Sequence, residues 1–588
     1  MAQEIGCQIG QKVGYSIRFE DVTSEATKIK FLTDGLLLRE ALVDPLLSRY
    51  SVLMVDEAHE RSLSSDILLG ILKKIRKRRP DLKIIISSAT LQAEDFLNFF
   101  KDPDTTDVDH NEEDGASGKG TIVSIEGRAF PVDMHYLDQP CENYLERSIK
   151  TVFDIHTSEP DGDILVFFSG RDEIDTAIEM VADRLPSLPK DSDRILPLPL
   201  YAGLTTEQQM YVFEPAPEGH RKVIFATNIA EASVTIDGIV YVVDSGFVKL
   251  RAFNPSTGIE TLTPTPVSKA SATQRAGRAG RTKPGKCYRL YTESAFDSLE
   301  EVTIPEIQRS NLAPTILQLK ALGIDNIALF DFLTPPPAEL IIRALELLFS
   351  LGALDEYAKL TKPLGTRMAE IALEPMLATC LLNSPSFNCL SEMLTIAAMT
   401  NLQGNIWFSN DNNKGEESAR RKFAVEEGDH ITLFNVYQAF VTTGRKDAKW
   451  CQQHYLNFKS MSRAISIRNQ LKRYLERFGI DVSESLGSSD AVLRAGGMPK
   501  EESIRRCLTS GYFSHAARMA ADGTFRTVDG GTVLHAHPSS LMFNRKADWV
   551  IFTEVMETGE KTFIRDVTKI EKRWLMEYGK EYYRVKGG

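Results

Sequence analysis

Two acidic residues stand directly after a short apolar run near the start of the chain. The run YSVLMV (50–55) has the composition of a buried parallel strand, and Asp56 and Glu57 follow it. Ligands of α/β sheets bind at the carboxyl ends of strands, so both carboxylates are placed for chemistry. Asp56 could reach Mg²⁺ through a water molecule, while Glu57 could polarise the water that attacks a terminal phosphate. An isolated Asp-Glu pair is more often an ordinary strand-end turn, so other residues must show whether this pair has a catalytic role.

A second segment, QRAGRAGR (274–281), carries side chains suited to phosphate groups. The preceding SKASAT is a good helix start, and a continuous helix places Gln274, Arg278 and Arg281 on one face. Planar, permanently charged guanidinium groups suit the charge that spreads over a transferring phosphoryl group, and Gln274 could orient the attacking water. A merely solvated basic helix is disfavoured, because the small residues between the arginines indicate close packing.

Strands and helices in two α/β blocks must position these groups. A second apolar run, KIIISSAT (83–90), and the helical segment before it complete a βαβ unit with buried parallel strands. The second block predicts three further strands, at DILVFF (163–168), KVIFAT (222–227) and GIVYVVD (238–244). We therefore expect two stacked α/β domains, over residues 1–126 and 127–300.

Beyond residue 300 the pattern turns helical, and after about residue 505 short β-like runs with Gly turns predict a small barrel. The clearest helical segments are NLAPTILQLKALGI, AELIIRALELLFSLGAL and EMLTIAAMTNL. A chain of 588 residues exceeds one hydrophobic core, which fits about three to five domains.

Composition excludes several classes of protein. The net charge of −12 gives no bulk sign of a polyanionic partner, although a local basic groove can coexist with it. The seven cysteines never stand in C-x-x-C spacing, so they indicate neither a zinc site nor a disulfide framework, and a reducing compartment fits. No apolar run approaches the roughly 20 residues of a membrane helix, and no secretory signal pattern is present. We expect a cytosolic or nuclear protein without a membrane partner.

The chain resembles DEAH-box RNA helicases of superfamily 2 along nearly its whole length. Beyond Asp56-Glu57-Ala58-His59 and QRAGRAGR, the likeness includes FLTDGLLLREAL (31–42), SAT (88–90), LVFFSGRDEID (165–175), ATNIAEASVTIDG (226–238) and GFVKLRAFNPSTGIETL. Two later stretches, 421–437 and 507–527, are most similar to one member of the family and its plant and fungal relatives. The resemblance implies α/β tandem RecA-like domains, the first incomplete, and then α-helical winged-helix (301–367) and ratchet-like (368–485) domains and a C-terminal β OB-fold (486–588).

The resemblance also implies roles for single residues. The family's catalytic positions are matched by Asp56, Glu57, His59, Gln274, Arg278 and Arg281. Asp56 and Glu57 also match the positions that serve Mg²⁺. Ser88 and Thr90 match the motif that couples hydrolysis to strand movement. Nucleotide-binding positions are matched by Ser233, Asp237 and Phe213, although a Phe at helical spacing is more often a core residue. RNA-binding positions are matched by Thr33, Asp34, Arg39, Ser169, Gly170, Thr227 and Asn228.

Such a protein is expected to use ATP and Mg²⁺ and to move 3′ to 5′ along single-stranded RNA or ribonucleoprotein. Grip by small polar residues on the RNA backbone implies sequence-independent, salt-dependent binding. The hairpin at about 246–265 would act as a separating wedge or end stop. Relatives are linked to the nucleus, to spliceosomal complexes in pre-mRNA splicing and to G-patch activator proteins, and the resemblance extends these expectations to this chain.

One motif of the family has no match in the sequence. A phosphate-binding loop needs G-x-x-x-x-G-K-[ST] between a strand and a helix. GRTKPGKC (280–287) ends in Cys287 and leads into a strand-like run, and GASGKGT (115–121) has the wrong spacing. We expect the loop to lie upstream of MAQEIG and catalysis by this chain to be poor. Either the chain is an N-terminally incomplete ATP-dependent helicase, or it is a catalytically silent RNA- or protein-binding product.

Overall fold

Four structural units follow one another along the chain. The computed structural model describes residues 1–17, 20–89, 93–101, 120–125, 130–189, 193–204, 206–231, 235–402, 406–407, 413–444, 446–482, 498–528, 531–558 and 561–586. Within these ranges the order is an α/β unit, a second α/β unit, a helical region and a mixed β unit.

The first α/β unit contains two small sheets with helices beside them. Its strands are β1 (Val13–Ile17), β2 (Glu20–Val22), β3 (Ile29–Leu32), β4 (Val52–Val55) and β5 (Lys83–Ile86), and its helices are α1 (Ala2–Ile5), α2 (Asp34–Val43), α3 (Leu63–Arg78) and α4 (Ala93–Phe100). The predicted parallel pair is confirmed, since β4 and β5 run in parallel with Val55 opposite Ile86. The sequence also predicted that β4 is buried on both faces. This prediction is wrong, because Leu53 and Val55 pack into the core while Val52 and Met54 are exposed.

The second α/β unit is built on a six-stranded parallel sheet of order β6-β13-β10-β7-β9-β8. Its strands are β6 (Val132–His135), β7 (Asp163–Phe167), β8 (Arg194–Leu200), β9 (His220–Ala226), β10 (Ile239–Asp244), β11 (Phe247–Asn254), β12 (Ile259–Pro266) and β13 (Gly285–Arg289). Its helices are α5 (Tyr144–Ser158), α6 (Arg171–Arg184), α7 (Thr206–Met210), α8 (Lys269–Gly277) and α9 (Glu293–Asp297). The three predicted strands become β7, β9 and β10, which lie at the centre with buried side chains on both faces. Strands β11 and β12 form the expected antiparallel hairpin.

The remaining residues form a helical region and a β unit. The helices are α10 (Ala313–Ala321), α11 (Ala338–Ser350), α12 (Leu364–Glu370), α13 (Pro375–Asn383), α14 (Leu390–Thr400), α15 (Asn413–Phe423), α16 (Asp429–Thr442), α17 (Ala448–Gln453), α18 (Phe458–Arg477), α19 (Lys500–Tyr512), α20 (Lys572–Tyr578) and α21 (Lys580–Lys586). The strands are β14 (Ala516–Met519), β15 (Phe525–Thr527), β16 (Val533–Ala536), β17 (Trp549–Ile551), β18 (Glu554–Thr558), β19 (Lys561–Arg565) and β20 (Thr568–Lys569). The three predicted helical segments correspond to α10, α11 and α14. In the described part of the chain, every helix is too short or too polar to cross a bilayer.

Helix α3 joins the first α/β unit to the helical region in one continuous hydrophobic core. The helix begins at its N-cap Ser62, whose side chain accepts the Ser65 N–H. The N–H of the next residue, Leu63, donates to Glu306 Oε2 at 2.8 Å. Gly70 makes the close approach possible, because a Cβ at this position would lie 2.5 Å from Phe330 Cζ. The position of the first α/β unit therefore depends on its contact with the helical region.

Gly70→Ala is expected to lower the free energy of unfolding by about 1–3 kcal/mol, because a tightly packed interface accommodates an added methyl group only with strain. The matched control is Gly35→Ala on α2, where the nearest atom to an added Cβ is 3.6 Å away. The control should be neutral or stabilising by up to about 1 kcal/mol, since Ala favours helix. Urea unfolding measures both variants, and an equal effect of the two would contradict the interface assigned to Gly70.

Candidate active site and nucleic-acid interface

Asp56 and Glu57 lie at the carboxyl end of β4, as their positions in the sequence predicted. Glu57 adopts a left-handed backbone conformation with φ of 51°, and its N–H donates to Asp56 Oδ1 at 3.0 Å. The Ala58 N–H donates to the Ser87 carbonyl oxygen at 2.9 Å, which ties this turn to the end of β5. A non-glycine residue with positive φ is uncommon and often marks a functional turn. The turn leaves the Asp56 side chain exposed and that of Glu57 40 % exposed.

His59 connects the acidic turn to the segment after β5. Its Nδ1 accepts the Ala89 N–H at 3.2 Å, and its Nε2 lies 3.5 Å from Glu57 Oε2. Burial lowers the pKa of His59, although the charges of Glu57 and Asp56 oppose the shift. The neutral ring therefore carries its proton on Nε2, facing Glu57. Ser88 lies in the segment that His59 holds, whereas Thr90 lies outside the described residues.

The helix predicted through QRAGRAGR ends early. Helix α8 stops at Gly277, so Arg278 stands at its C-cap and Arg281 follows in a turn. The single helical face predicted for Gln274, Arg278 and Arg281 is therefore wrong. The chain leaves the helix because Gly280 packs against Phe130, where an added Cβ would lie 2.5 Å from the Phe130 carbonyl oxygen. Arg281 instead donates a hydrogen bond to Thr235 Oγ1.

Glu57 of the first α/β unit and Arg278 of the second nevertheless lie close enough to interact through their charges. Burial, together with the positive charge of Arg281, lowers the pKa of Arg278 to about 10. The carboxylates of Glu57 and Glu231 act in the opposite direction, so Arg278 lies within electrostatic reach of both. Repulsion between two guanidinium groups is relieved when an anion binds between them. The exposed carboxylates provide oxygen ligands of the kind that Mg²⁺ prefers, so the donor set fits a magnesium-bound phosphate chain.

Phe213 lies on the surface, although a phenylalanine in this pattern is more often buried. It ends the 3₁₀ turn Tyr211–Phe213 and is 41 % exposed, while its neighbour Val212 fills the core. The buried Lys222 fixes this turn, because its Nζ donates to the carbonyl oxygens of Val212 at 3.1 Å and Glu214 at 2.8 Å. The ring is thus presented to solvent. Of the other predicted nucleotide-binding residues, Asp237 is exposed before β10, and Ser233 lies outside the described residues.

Four of the predicted RNA-binding residues share one edge of the second sheet. Strands β7 and β9 end side by side, with Phe167 opposite Ala226. This register brings together the residues that follow them, which are Ser169, Gly170, Thr227 and Asn228. Ser169 is buried, and its hydroxyl and N–H both donate to Glu173 at 2.9 Å. Its side chain therefore shapes this edge rather than opening to solvent.

The other three predicted RNA-binding residues belong to α2. Thr33 is the N-cap residue of this helix, and Asp34 Oδ2 accepts the Ser65 hydroxyl at 2.5 Å. Arg39 lies beside Tyr474 and Glu374 of the helical region, and burial lowers the pKa of its guanidinium against the effect of both neighbours. The structure thus places these residues where α2 faces α3 and the helical region.

Sequence reasoning missed two residues in this region. The Lys249 side chain of β11 lies across Gly170, since a Cβ on that glycine would be 2.7 Å from Lys249 Nζ. Arg275 is completely buried between Glu231 and Asp244. Asp244 offered a signal for Arg275, because a carboxylate that ends the fully apolar strand GIVYVVD requires a buried partner. No comparable signal in the sequence singled out Lys249.

The fold defines a helicase class, in which RecA-like α/β units precede helical and OB-fold domains. Four stretches match domains known from such proteins. Residues 146–283 match the helicase conserved C-terminal domain, 344–373 the winged-helix and 374–433 the ratchet-like helicase-associated domain (HA2), and 504–582 the oligonucleotide/oligosaccharide-binding (OB) fold. The predicted succession of RecA-like, winged-helix, ratchet-like and OB-fold domains is confirmed.

The chain belongs to the DEAH-box RNA helicase family. It is 50 % identical to the probable ATP-dependent RNA helicase DHX35 of Homo sapiens over 99 % of this chain and 81 % of the human protein. It is 48 % identical to the DHX35 homolog of Caenorhabditis elegans over 99 % of this chain and 77 % of that protein. The family predicted from the motifs is confirmed by these relatives.

Lys222→Met is expected to release the turn that presents Phe213. The variant removes two hydrogen bonds to backbone carbonyls and leaves Asp163, 3.6 Å from the ammonium, without this partner. Removing one member of a buried ion pair costs about 3–5 kcal/mol, so amide exchange at Val212–Glu214 should rise at least about tenfold. Lys283→Met is the control, since Lys283 is exposed and donates to one carbonyl of the same unit. Unchanged exchange at Val212–Glu214 would refute the role of Lys222.

Proposed function

We propose that this chain is the RNA-gripping and water-activating part of an ATP-driven helicase that moves 3′ to 5′ along single-stranded RNA. One observation carries the proposal: Glu57 of the first α/β unit and Arg278 of the second lie within electrostatic reach of each other. A motor that closes two units on a nucleotide needs catalytic groups from both sides of the cleft. The direction of movement is inferred from family resemblance.

The residues of this cleft divide the work of hydrolysis among them. Bound ATP with Mg²⁺ would supply the phosphoanhydride whose cleavage drives the motor. Asp56 would hold the cation, and Glu57 would accept a proton from the attacking water, with neutral His59 keeping the Glu57 carboxylate in place. Gln274 would orient that water. Arg278 and Arg281 would stabilise the charge that develops on the phosphoryl oxygens.

The grip on RNA would come from the edge where β7 and β9 end. Gly170, Thr227 and Asn228 offer backbone and small polar groups, and Lys249 adds an ammonium group directly over Gly170. Contacts of this kind recognise the sugar-phosphate backbone, so binding should be independent of base sequence. Ser169 would act indirectly, because its hydroxyl donates to Glu173.

The partners that we propose are spliceosomal complexes in the nucleus and a G-patch activator protein. Support for the activator comes from α11 in the winged-helix region. Ile342 and Phe349 stand seven residues apart on one face of this helix, and both are exposed. An apolar stripe on a helix surface is a feature that partner segments bind. The role in pre-mRNA splicing follows from resemblance to relatives.

A second function remains open, that of an RNA- or protein-binding module without catalysis. The sequence contains no stretch that satisfies G-x-x-x-x-G-K-[ST]. The near match GRTKPGKC runs into β13, so it does not precede a helix as a phosphate loop must. ATP hydrolysis that Glu57→Gln abolishes would exclude the module, whereas RNA binding is common to both functions.

The chain is expected to bind a 20-nucleotide oligouridylate with an affinity that falls steeply with salt, as measured by fluorescence anisotropy. Lys249→Ala should weaken binding about fivefold to tenfold and reduce the salt slope by about 0.7, because one phosphate contact is lost. Lys283→Ala is the control, since Lys283 donates to Asp161 before β7, at the opposite edge of the sheet. RNA affinity that is insensitive to salt and to Lys249→Ala would refute the proposed grip.

Ile342→Asp is expected to weaken binding of a recombinant G-patch segment at least about tenfold, because a charge replaces an apolar anchor at the centre of the interface. The control is Leu329→Asp, a similar change at an exposed leucine outside α11. Isothermal titration calorimetry measures both. Equal affinity of the Ile342→Asp variant and the unmodified chain would rule out α11 as the docking face.

A further inference from the structure

Arg275 joins three functional segments of the second α/β unit at one buried point. Its side chain is completely buried. Nε donates to Glu231 Oε1 at 2.7 Å, one Nη to Asp244 Oδ1 at 2.8 Å, and the other to the Phe247 carbonyl oxygen at 3.1 Å. Glu231 lies in ATNIAE, Asp244 ends β10, and Phe247 begins the hairpin. A charge removed from water in this way depends on all of its partners.

The two carboxylates that neutralise Arg275 are themselves held in place. Glu231 Oε2 accepts the Ser271 hydroxyl of α8 at 2.8 Å. Asp244 accepts the Gly246 N–H at 3.0 Å and the Tyr291 hydroxyl at 2.9 Å. Each carboxylate therefore has additional hydrogen bonds that restrict its position. The junction is fully hydrogen-bonded, and such networks have one preferred arrangement.

The far end of the hairpin is anchored in the OB-fold. Ile259 at the start of β12 is only 4 % exposed and belongs to the same core as Phe525 and Leu534. The Thr263 hydroxyl donates to Glu557 Oε2 of β18 at 2.9 Å. The start of β12 therefore packs into a neighbouring domain, while Asn254 and Ser256 of the turn are exposed.

The hairpin between these anchors is a paired ribbon. Strands β11 and β12 are in continuous antiparallel register from Phe247 opposite Pro266 to Asn254 opposite Ile259. The Phe253 N–H also donates to the Arg309 carbonyl oxygen at 2.6 Å, which braces the ribbon near its tip. A hydrogen-bonded ribbon moves as a body when one end is displaced. Displacement of α8 would thus also displace Ile259.

We propose that Arg275 is a positioning residue that couples the nucleotide side of the second α/β unit to the OB-fold through the hairpin. Helix α8 carries Gln274 and has Arg278 as its C-cap, so a change around these residues shifts Arg275 with them. Arg275 transfers the shift to Phe247, and the ribbon transfers it to Ile259. The inference rests on the proposed function, because it assigns nucleotide binding to Gln274 and Arg278. It extends that function by naming the route along which the site is connected to the OB-fold.

The test uses the full chain and reads amide hydrogen exchange without RNA or nucleotide. Ile259→Ala loosens the anchor of the hairpin in the OB core. Because coupling is reciprocal, exchange should rise at least about fivefold in α8 as well as in the hairpin. In an Arg275→Lys background, which keeps the charge but cannot reach three partners, the same Ile259→Ala change should leave α8 unaffected. A structural role of Arg275 that is independent of the hairpin anchor would not produce this non-additivity of the two substitutions.

Leu534→Ala is the matched control, since Leu534 is fully buried in the OB core but lies outside the hairpin. It should raise exchange in the OB-fold alone. An equal response of α8 to Leu534→Ala, or a response to Ile259→Ala that persists with Lys at position 275, would overturn the inference. If Arg275→Lys does not fold, Glu231→Gln replaces it, because it removes the charge of one partner. Failure to bind oligouridylate would overturn only the proposed function, since exchange is measured without RNA.

Discussion

The buried guanidinium of Arg275 is the interaction on which the second α/β unit depends. Removing one partner from a buried ion pair costs several kcal/mol, so Glu231 and Asp244 must stay where the guanidinium holds them. Burial alone would lower the pKa of Arg275, but the two carboxylates raise it overall, and the group is always charged. This constraint sets α8, the end of β10 and the start of the hairpin relative to one another. The positions of Gln274 and Arg278 follow from it.

A second constraint places the first α/β unit opposite these residues. Helix α3 packs on the helical region at Gly70, and the turn after the acidic motif is held there too, since Arg61 donates to Thr334 Oγ1 at 2.7 Å. Glu57 is thereby brought near Arg278, although 220 residues separate them in the sequence. The C-terminal domains thus help to set the position of Glu57 relative to Arg278.

Apolar periodicity predicted β7, β9 and β10 and three helices of the C-terminal half, since these elements are buried or amphipathic. The end of α8 could not be predicted, because it depends on the contact between Gly280 and Phe130. Exposure of Phe213 depends on the hydrogen bonds that Lys222 donates to two backbone carbonyls, which no sequence pattern indicates. Among the site residues taken from family resemblance, Asp56, Glu57, Ser169, Gly170, Thr227 and Asn228 follow strand ends. Arg275 and Lys249 were missed, because their roles are defined by partners that only folding brings together.

The central claim is that Glu57 and Arg278 serve one hydrolytic site across the two units. The most direct measurement is RNA-stimulated ATP hydrolysis by this chain joined at its N-terminus to a strand-loop-helix segment that carries G-x-x-x-x-G-K-[ST]. We predict turnover that Glu57→Gln and Arg278→Met each reduce at least about a hundredfold, because both groups act in the same transition state. Turnover that survives either substitution, or a joined chain that folds and binds RNA but never hydrolyses ATP, would contradict the claim.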